Sequence, residues 1–399
     1  MRPEFRVAAA LLAAGVLPCV ATAQEAIELD GIVVTASKTP KRAVDAPSAS
    51  SSVGGAGARQ KTGGPAAASN VDVVQTGASG EPAIGFGANG KSAFDKIQPQ
   101  SVTDVLRDVP GVTTSTIASD PAQAVNIRGL QDFGRVNVMV DGARQNFQRT
   151  GHNANGAFYL EPEFLSSVDI TRGPAANIYG SGAIGGVAAF TTRGINDILR
   201  ADETSAIVQK VGVGTNGAGY VTSTSGGLRV GPNVDLYGQF VNRNTSPYES
   251  GNGVEVPDSG FDDYGGLGKI VVRPAAGHEV TATAMVQEYD FTDFTMTSAP
   301  SFMPIPQPVT NATDVTTENY TIGYTFARPD TPLIDFSAKA YYTTTKTDQD
   351  QSPVVSFSTR NFDIETTGFD IFNTSRFSTG AVAHRLTYGV DGFRDEVSV

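Results

Sequence analysis

The feature that most constrains the fold is an alternation of polar and apolar residues that begins near Ala201 and continues to Val399. Segments of about ten residues alternate in this way, and stretches rich in turn residues separate them. In one segment, Leu236, Gly238 and Phe240 fall on one face, because successive side chains of a strand point to opposite faces. Such segments are typical of a transmembrane β-barrel, and a soluble β-sandwich alternates in the same way.

The composition favours an all-β chain and argues against a nucleic-acid-binding protein. The 399 residues include 44 glycines, 21 phenylalanines and 12 tyrosines, and only 18% of the residues are charged. Aromatic residues are enriched in strands, and glycine serves tight turns. The formal net charge is −12, whereas a nucleic-acid-binding domain normally presents a basic surface. We therefore expect no nucleic-acid partner.

The N-terminal residues predict export from the cytoplasm. Arg2 and Arg6 precede an apolar run at residues 7–20, and small residues follow this run. This pattern is typical of a secretory signal peptide, which we place at residues 1–23. The apolar run is too short for a membrane-spanning helix, which needs about 20 apolar residues. Cys19 is the single cysteine and lies inside the signal, so we expect no disulfide in the mature chain.

A unit punctuated by glycines lies between the signal and the alternating segments, at residues 125–193. VNVMVDG and FLSSVDITRGP each predict a strand that ends in a turn. YGSGAIGG contains four glycines in eight residues, which favours backbone conformations that other residues avoid. Before this unit, residues 101–112 carry valine and leucine at helical spacing, with Ser101 or Thr103 as the cap and a Pro-Gly pair as the stop. Together these segments predict a small mixed α/β unit.

The short motifs PGV, NIRG, DG, RGP and YGSGAIGG follow one another in this order within residues 110–193. They resemble the plug domain of TonB-dependent outer-membrane receptors, and residues 143–165 more specifically resemble the haem- and haemoglobin-uptake branch of that family. The resemblance implies a small mixed α/β plug domain at residues 96–195, followed by the N-terminal part of an antiparallel transmembrane β-barrel at residues 196–399. Complete plugged barrels have about 22 strands. The alternating segments supply about nine, so we expect a sequence truncated within its barrel.

Two further segments separate the signal from the predicted plug. Residues 24–45 contain a short β-prone run, which consists of Ile32, Val33, Val34, Thr35 and Ala36. On periodicity alone this run predicts a stray edge strand, whereas the resemblance implies that it is the TonB box. An extended segment with unpaired backbone groups can add a strand to the sheet of a partner, which suits this role. Residues 46–95 are rich in Ala, Ser and Gly and predict a flexible linker.

One histidine is a candidate ligand. His152 stands among glycine and asparagine residues in RTGHNANG, which predicts an exposed loop. A loop histidine is by itself usually solvated, but the resemblance implies that His152 is the plug-side axial ligand of haem iron. It places a second ligand on the barrel beside FRAP and NPNL motifs, which are absent here and are expected beyond Val399. His278 and His384 are predicted to be structural or solvated, so haem iron is the only metal that we expect.

Two arginines are candidate contacts between plug and barrel. They are Arg128 in NIRG and Arg172 in RGP. The resemblance implies that they pair with carboxylates of the barrel wall, and a guanidinium can engage a carboxylate through two hydrogen bonds. Ordinary surface arginines are the alternative interpretation of the same residues. The expected carboxylate partners lie beyond Val399.

The mature chain offers no residue set for catalysis, because it lacks cysteine and has no cluster of histidines and carboxylates at metal-ligand spacing. We therefore expect no enzymatic activity. The resemblance implies TonB-dependent active transport of haem, including haem extracted from haemoglobin, across the bacterial outer membrane into the periplasm. The expected partners are TonB with its inner-membrane energising complex, haem or a haem protein such as haemoglobin, and outer-membrane lipid. Haem is expected as the transported ligand and not as a permanently bound cofactor.

Two alternatives stay open at this point. A receptor of the same family for a ferric siderophore would share the plug and the barrel but would lack the barrel-side histidine. An exported adhesin or structural β-protein would share only the alternating strands. Such a protein would be soluble without detergent, or it would fail to bind TonB through residues 32–36.

Overall fold

The computed structural model describes residues 49–54, 71–72, 98–131, 134–146, 157–175, 179–200, 202–296, 308–352 and 358–398. These residues form an N-terminal unit, which ends at residue 200, and a nine-stranded antiparallel sheet, which follows it. The predicted signal at residues 1–23 and the segment at residues 24–45 lie outside the described residues. Within the described ranges, no helix is long and apolar enough to span a membrane.

The N-terminal unit consists of short strands and one short helix. In chain order these are β1 (Ala49–Gly54), β2 (Val71–Asp72), α1 (Val102–Leu106), β3 (Val112–Ile117), β4 (Asp120–Ile127), β5 (Val136–Val140), β6 (Ala143–Arg144), β7 (Leu165–Arg172) and β8 (Gly186–Thr192), with 3₁₀ turns at Pro162–Phe164 and Ile195–Asp197. Strands β3 and β4 form a hairpin, and the others form a mixed sheet in the order β2-β1-β7-β8-β5-β6. The predicted mixed α/β unit is confirmed.

Helix α1 buries one face, which carries apolar side chains at helical spacing. Val102, Val105 and Leu106 are at most 1% exposed and belong to the main buried cluster of the unit. The helix follows Ser101, as the sequence predicts, but it ends before the predicted Pro-Gly stop. The backbone N–H of Val109 donates to the carbonyl of Leu106 at 3.0 Å, a tight bond of the kind that closes the last turn of a helix.

Strands β1 and β2 lie within residues 46–95, for which the sequence predicts a flexible linker. Strand β1 pairs antiparallel with β7, with Ser50 opposite Thr171 and Ser52 opposite Asp169, and β2 pairs with β1. In sequence these strands are mostly Ala, Ser, Gly and Val. Their pairing depends on the backbone, because the edge of β7 presents N–H and C=O groups that any extended chain can satisfy.

The second part of the structure is a meander in which each strand pairs antiparallel with the next. The strands are β9 (Ser205–Val213), β10 (Tyr220–Val230), β11 (Val234–Asn244), β12 (Phe261–Val272), β13 (His278–Met296), β14 (Pro308–Ala327), β15 (Asp335–Ser352), β16 (Ser358–Thr379) and β17 (Val382–Ser398). The nine strands agree with the number that the sequence predicts. Strands β13 to β16 have 18 to 22 residues and are longer than predicted.

The distribution of polar side chains distinguishes a barrel wall from a sandwich. One face of the sheet exposes large apolar side chains, such as Ile207, Phe240 and Ile322. The opposite face buries polar side chains, such as Gln239 and Gln287. A sandwich would bury the apolar face of each sheet, whereas a membrane barrel turns that face to lipid and its polar face to the lumen. The sheet is therefore a partial barrel, with the N-terminal unit on its luminal side.

A substitution at Gly186 tests how tightly the N-terminal unit is packed. Its φ is 144°, and a Cβ at this position would lie 2.1 Å from the carbonyl oxygen of Thr171. We expect Gly186→Ala to lower the free energy of unfolding of the unit by about 2–6 kcal/mol, from backbone strain and steric overlap. Gly129→Ala is the control, because Gly129 has a φ of 85° but open space around its Cα. It should cost about 1–2 kcal/mol. Equal urea midpoints for the two variants would contradict this packing.

Candidate functional site

Buried polar contacts join the N-terminal unit to the sheet at residues 161–163, which we call the acidic turn. Leu160 and Phe164 are buried on either side of it and draw the turn into the core. Glu161 caps the 3₁₀ turn, because its carboxylate accepts the backbone N–H of Glu163 at 2.9 Å. The two carboxyl groups consequently lie in the interior, with Glu161 at 2% and Glu163 at 3% exposure.

Arg243 of strand β11 forms a bidentate ion pair with Glu161. Its Nε and Nη2 atoms each donate to one carboxylate oxygen at 2.8 Å, and its Nη1 donates to Gln100 Oε1 at 2.6 Å. Both side chains of the ion pair are at most 2% exposed. Charges that are removed from water in this way are costly unless they are paired and hydrogen-bonded. The geometry of this pair meets both conditions.

The protonation of Glu161 reflects two opposing effects. Burial alone would raise the pKa of its carboxyl, but the positive charge of Arg243 and the hydrogen bonds to the carboxylate together outweigh burial and hold the pKa of Glu161 below its ordinary value. Glu161 is therefore ionised at neutral pH. Because its pKa is depressed, the ion pair stabilises the fold above about pH 4.3, the ordinary glutamate value. That stabilisation is lost as the pH falls through the lowered value.

Other barrel strands also reach the acidic turn. Lys210 of β9 donates from Nζ to Glu163 Oε1 at 2.6 Å. Gln239 of β11 donates to the backbone carbonyl of Glu163 at 2.9 Å. Gln287 of β13 accepts the backbone N–H of Glu161 at 2.7 Å. The turn is therefore held by side chains and not by a continuous strand pairing.

A second contact involves Arg144, the last residue of β6. Arg144 is 4% exposed, and its guanidinium carbon lies 4.3 Å from the ring centroid of Phe393 on β17. Thr343 of β15 donates to the carbonyl of Arg144 at 3.1 Å. Asn146 donates to both carboxylate oxygens of Asp395 at 3.2 Å. These contacts fix the chain just before residues 147–156, the part of the sequence that contains His152.

The two arginines that the sequence singles out have contacts within the N-terminal unit. Arg172 donates from Nη1 to the carbonyl of Pro110 at 2.8 Å. Arg128 is exposed, with a φ of 52°, and its backbone N–H donates to the carbonyl of Gly111 at 2.9 Å. Pairing of Arg128 and Arg172 with barrel carboxylates stays a prediction.

The predicted haem ligand and the predicted TonB box lie outside the described residues. They are His152 and the run Ile32, Val33, Val34, Thr35 and Ala36. The other two histidines sit on barrel strands. The His278 Nδ1 atom lies 2.8 Å from the Tyr324 hydroxyl, and its ring packs 4.4 Å from Phe326. The His384 ring stacks on Phe377 at 4.8 Å.

Glu161, Glu163 and Arg144 are residues of the site that were not predicted from the sequence. A signal for the first two exists in FYLEPEFL, where two carboxyl groups interrupt an apolar run. A carboxyl group buried by its neighbours requires a cation, so this pattern predicts a partner in another part of the chain. Local sequence does not identify that partner, because Arg243 lies 82 residues away.

Comparison with known proteins identifies this architecture. The family model of the TonB-dependent Receptor Plug Domain matches residues 90–187. Over 103 residues, which are 26% of this chain and 14% of the relative, the sequence is 39% identical to the heme/hemopexin utilization protein C of Haemophilus influenzae. Over 324 residues, which are 76% of this chain and 43% of the relative, it is 24% identical to TonB-dependent heme receptor A of the same organism.

A solved structure shows a similar fold. It is that of a double mutant of the hemophore receptor HasR of Serratia marcescens in complex with its hemophore HasA and heme. The TM-score is 0.68 and the identity is 29%, and the match covers 77% of this chain and 44% of HasR. The chain spans less than half of the length of each of these three relatives.

The N-terminal unit is thus a plug domain of the TonB-dependent receptor type, and the sheet is part of the barrel wall on which such a plug docks. The resemblance inferred from the ordered glycine motifs is confirmed. The acidic turn is a contact between plug and barrel. Its ion pairs place the carboxylates on the plug, at Glu161 and Glu163, and the cations on the wall, at Arg243 and Lys210.

The two glutamates of the acidic turn allow a matched comparison. We expect Glu161→Gln to destabilise the docked plug by about 3–5 kcal/mol, because it removes the carboxylate that accepts both hydrogen bonds of the buried Arg243 ion pair. Glu163→Gln should cost about 1 kcal/mol or less, because water reaches the Lys210 side chain, which is 24% exposed. Both losses can be measured by titrating the folded protein with urea and using protease cleavage of the plug as the readout. Equal losses would contradict the assignment of Glu161–Arg243 as the dominant ion pair.

Proposed function

We propose that this protein takes part in TonB-dependent import of haem across the bacterial outer membrane. The observation that carries the proposal is the similarity to HasR, which extends over the plug and the strands after it at 29% identity. The structure of HasR contains heme, and two further relatives are named as heme utilization or heme receptor proteins. The exposed apolar face of the sheet supports a place in lipid and argues against a soluble adhesin.

The plug contacts suggest how transport is controlled. The acidic turn and the Arg144 region close the plug against the wall through buried ion pairs and hydrogen bonds. Cargo can pass only when some of these contacts are released. The energy for release would come from TonB, which would pair with the extended run at residues 32–36 and pull. This route requires no nucleotide hydrolysis by the chain itself.

His152 is the proposed plug-side ligand of haem iron. Its segment connects Asn146 to Ala157, and both of these residues are buried in the plug. A histidine nitrogen is a suitable axial ligand, and a ligand on a loop can be offered to a cargo that arrives from outside. A barrel histidine would complete the coordination. A ferric siderophore receptor remains the alternative within the family, because it would use the same plug and the same docking contacts.

A haem titration of the full-length protein tests the function. We expect a saturable absorption band in the wild type and at least a tenfold weaker affinity in His152→Ala, because one iron ligand is lost. His278→Ala is the matched control and should bind like the wild type, because His278 packs against Tyr324 and Phe326. A wild type without a saturable band would contradict haem as cargo. Unchanged binding by His152→Ala would contradict the ligand assignment alone.

A further inference from the structure

Asp263 is a buried carboxyl group that the contacts of the acidic turn leave unexplained. It lies on β12, is 1% exposed, and directly faces Arg243 in the β11–β12 register. Among the described residues, neither oxygen of Asp263 meets a hydrogen-bond donor. The Arg243 N–H groups donate to Glu161 and Gln100 instead. A buried carboxylate with no donor would be strongly destabilising, so this carboxyl requires another explanation.

The unpaired Asp263 carboxyl lies close to a second acid, Glu161. The Asp263 carboxyl is within hydrogen-bonding reach of the Glu161 carboxyl. Two carboxylates are both acceptors, so a hydrogen bond between them exists only when one of them carries a proton. Without that proton, two negative charges would face each other in an interior from which water is excluded.

Only one positive charge among the described residues is available to balance Glu161 and Asp263. Arg243 of β11 supplies that charge through its ion pair with Glu161. Glu163 is the third acid of the cluster, and it has its own cation in Lys210 at 2.6 Å. Tyr289 of β13 faces Asp263 in the β12–β13 register, but its hydroxyl donates to a neighbouring glutamine at 3.3 Å. One proton on the pair therefore makes the pair and Arg243 electrically neutral.

The hydrogen bonds determine which acid holds the proton. Glu161 accepts two bonds from Arg243 and one from the backbone N–H of Glu163. All three favour its ionised form. Asp263 accepts no bond from the described residues. The proton therefore belongs on Asp263.

We propose that Asp263 is a protonated carboxylic acid at neutral pH and donates a hydrogen bond to Glu161. Arg243, Glu161 and Asp263 then form a lock of three side chains, two on the wall and one on the plug. Asp263 is a positioning residue in this lock, because it acts on the plug only through Glu161. This inference depends on the docking contacts and not on haem, so it stands or fails separately from the proposed cargo.

The lock couples plug movement to a proton. When the acidic turn leaves the wall, Asp263 loses its acceptor and becomes hydrated. A hydrated aspartate has a pKa of about 3.9, so at neutral pH the group changes from –COOH to –COO⁻ and releases H⁺ to water. Because the docked state holds one proton more than the released state, the ratio of released to docked plug should rise about tenfold per pH unit above about pH 5.

Infrared spectroscopy of the full-length protein in detergent tests the protonation directly. The wild type should show a protonated-carboxyl C=O band at pH 7 that shifts in D₂O, and Asp263→Asn should lack it. Protease cleavage of the plug, measured between pH 5 and about 8, tests the linkage. The wild type should be cleaved about tenfold faster per pH unit, because cleavage follows the population of released plug. Asp263→Asn should remain docked with no such slope, because its amide donates to Glu161 at every pH.

Asp262→Asn is the matched control, because Asp262 is the exposed neighbour of Asp263 on β12. It should keep both the infrared band and the pH slope of the wild type. A wild type without the band, or an Asp263→Asn variant with the wild-type slope, would overturn the proposal. The infrared measurement on the wild type alone decides the matter if Asp263→Asn does not fold.

Discussion

The docking of the plug depends on a buried ion pair whose components are individually unfavourable. Moving Glu161 or Arg243 out of water costs several kcal/mol for each charge, and the bidentate geometry offsets that cost only while both partners are present. Gln100 and Gln287 complete the arrangement by satisfying the remaining donors near the pair. The contact therefore has two stable states. It is either fully formed in the interior or fully hydrated after the plug has moved.

This property would suit the proposed transport, in which the plug stays docked until it is displaced. Phe164 belongs to the same buried cluster as Val241 and Leu267 of the wall, so apolar packing contributes to docking as well. An apolar contact alone would be non-directional and would tolerate many positions of the plug. The ion pair, in contrast, fixes one position, because both hydrogen bonds form in a single geometry. Polar docking thus gives a defined closed state that a directed pull can break.

Much of the fold can be predicted from residue patterns within single segments of the sequence. The alternation after Ala201 predicts the nine strands, because facing lipid or lumen imposes a period of two on each strand. The spacing of Val102, Val105 and Leu106 predicts helix α1, because a helix that buries one face repeats apolar residues every three or four positions. The pairing of β1 with β7 could not be predicted in this way, because it involves backbone groups that every residue carries.

The candidate site is harder to predict, because it joins distant parts of the chain. Glu161 meets Arg243 only if β11 has the observed register with β10 and β12, and a slip of one residue would turn Arg243 to the lipid face. Register is a property of the whole sheet and cannot be read from either residue. The sequence suggests that the acids of FYLEPEFL need a cation, and only the fold identifies it. His152 and residues 32–36 lie outside the described residues, so their roles rest on the resemblance.

A double-mutant cycle on Glu161 and Arg243 tests the central claim most directly. The free energy of plug docking would be measured for the wild type, Glu161→Gln, Arg243→Gln and the double variant. If the two side chains form the ion pair that positions the plug, the double variant should lose about 1–3 kcal/mol less than the sum of the single losses. Additive losses would mean that the two residues act independently. That result would contradict a plug held in the barrel wall by this contact.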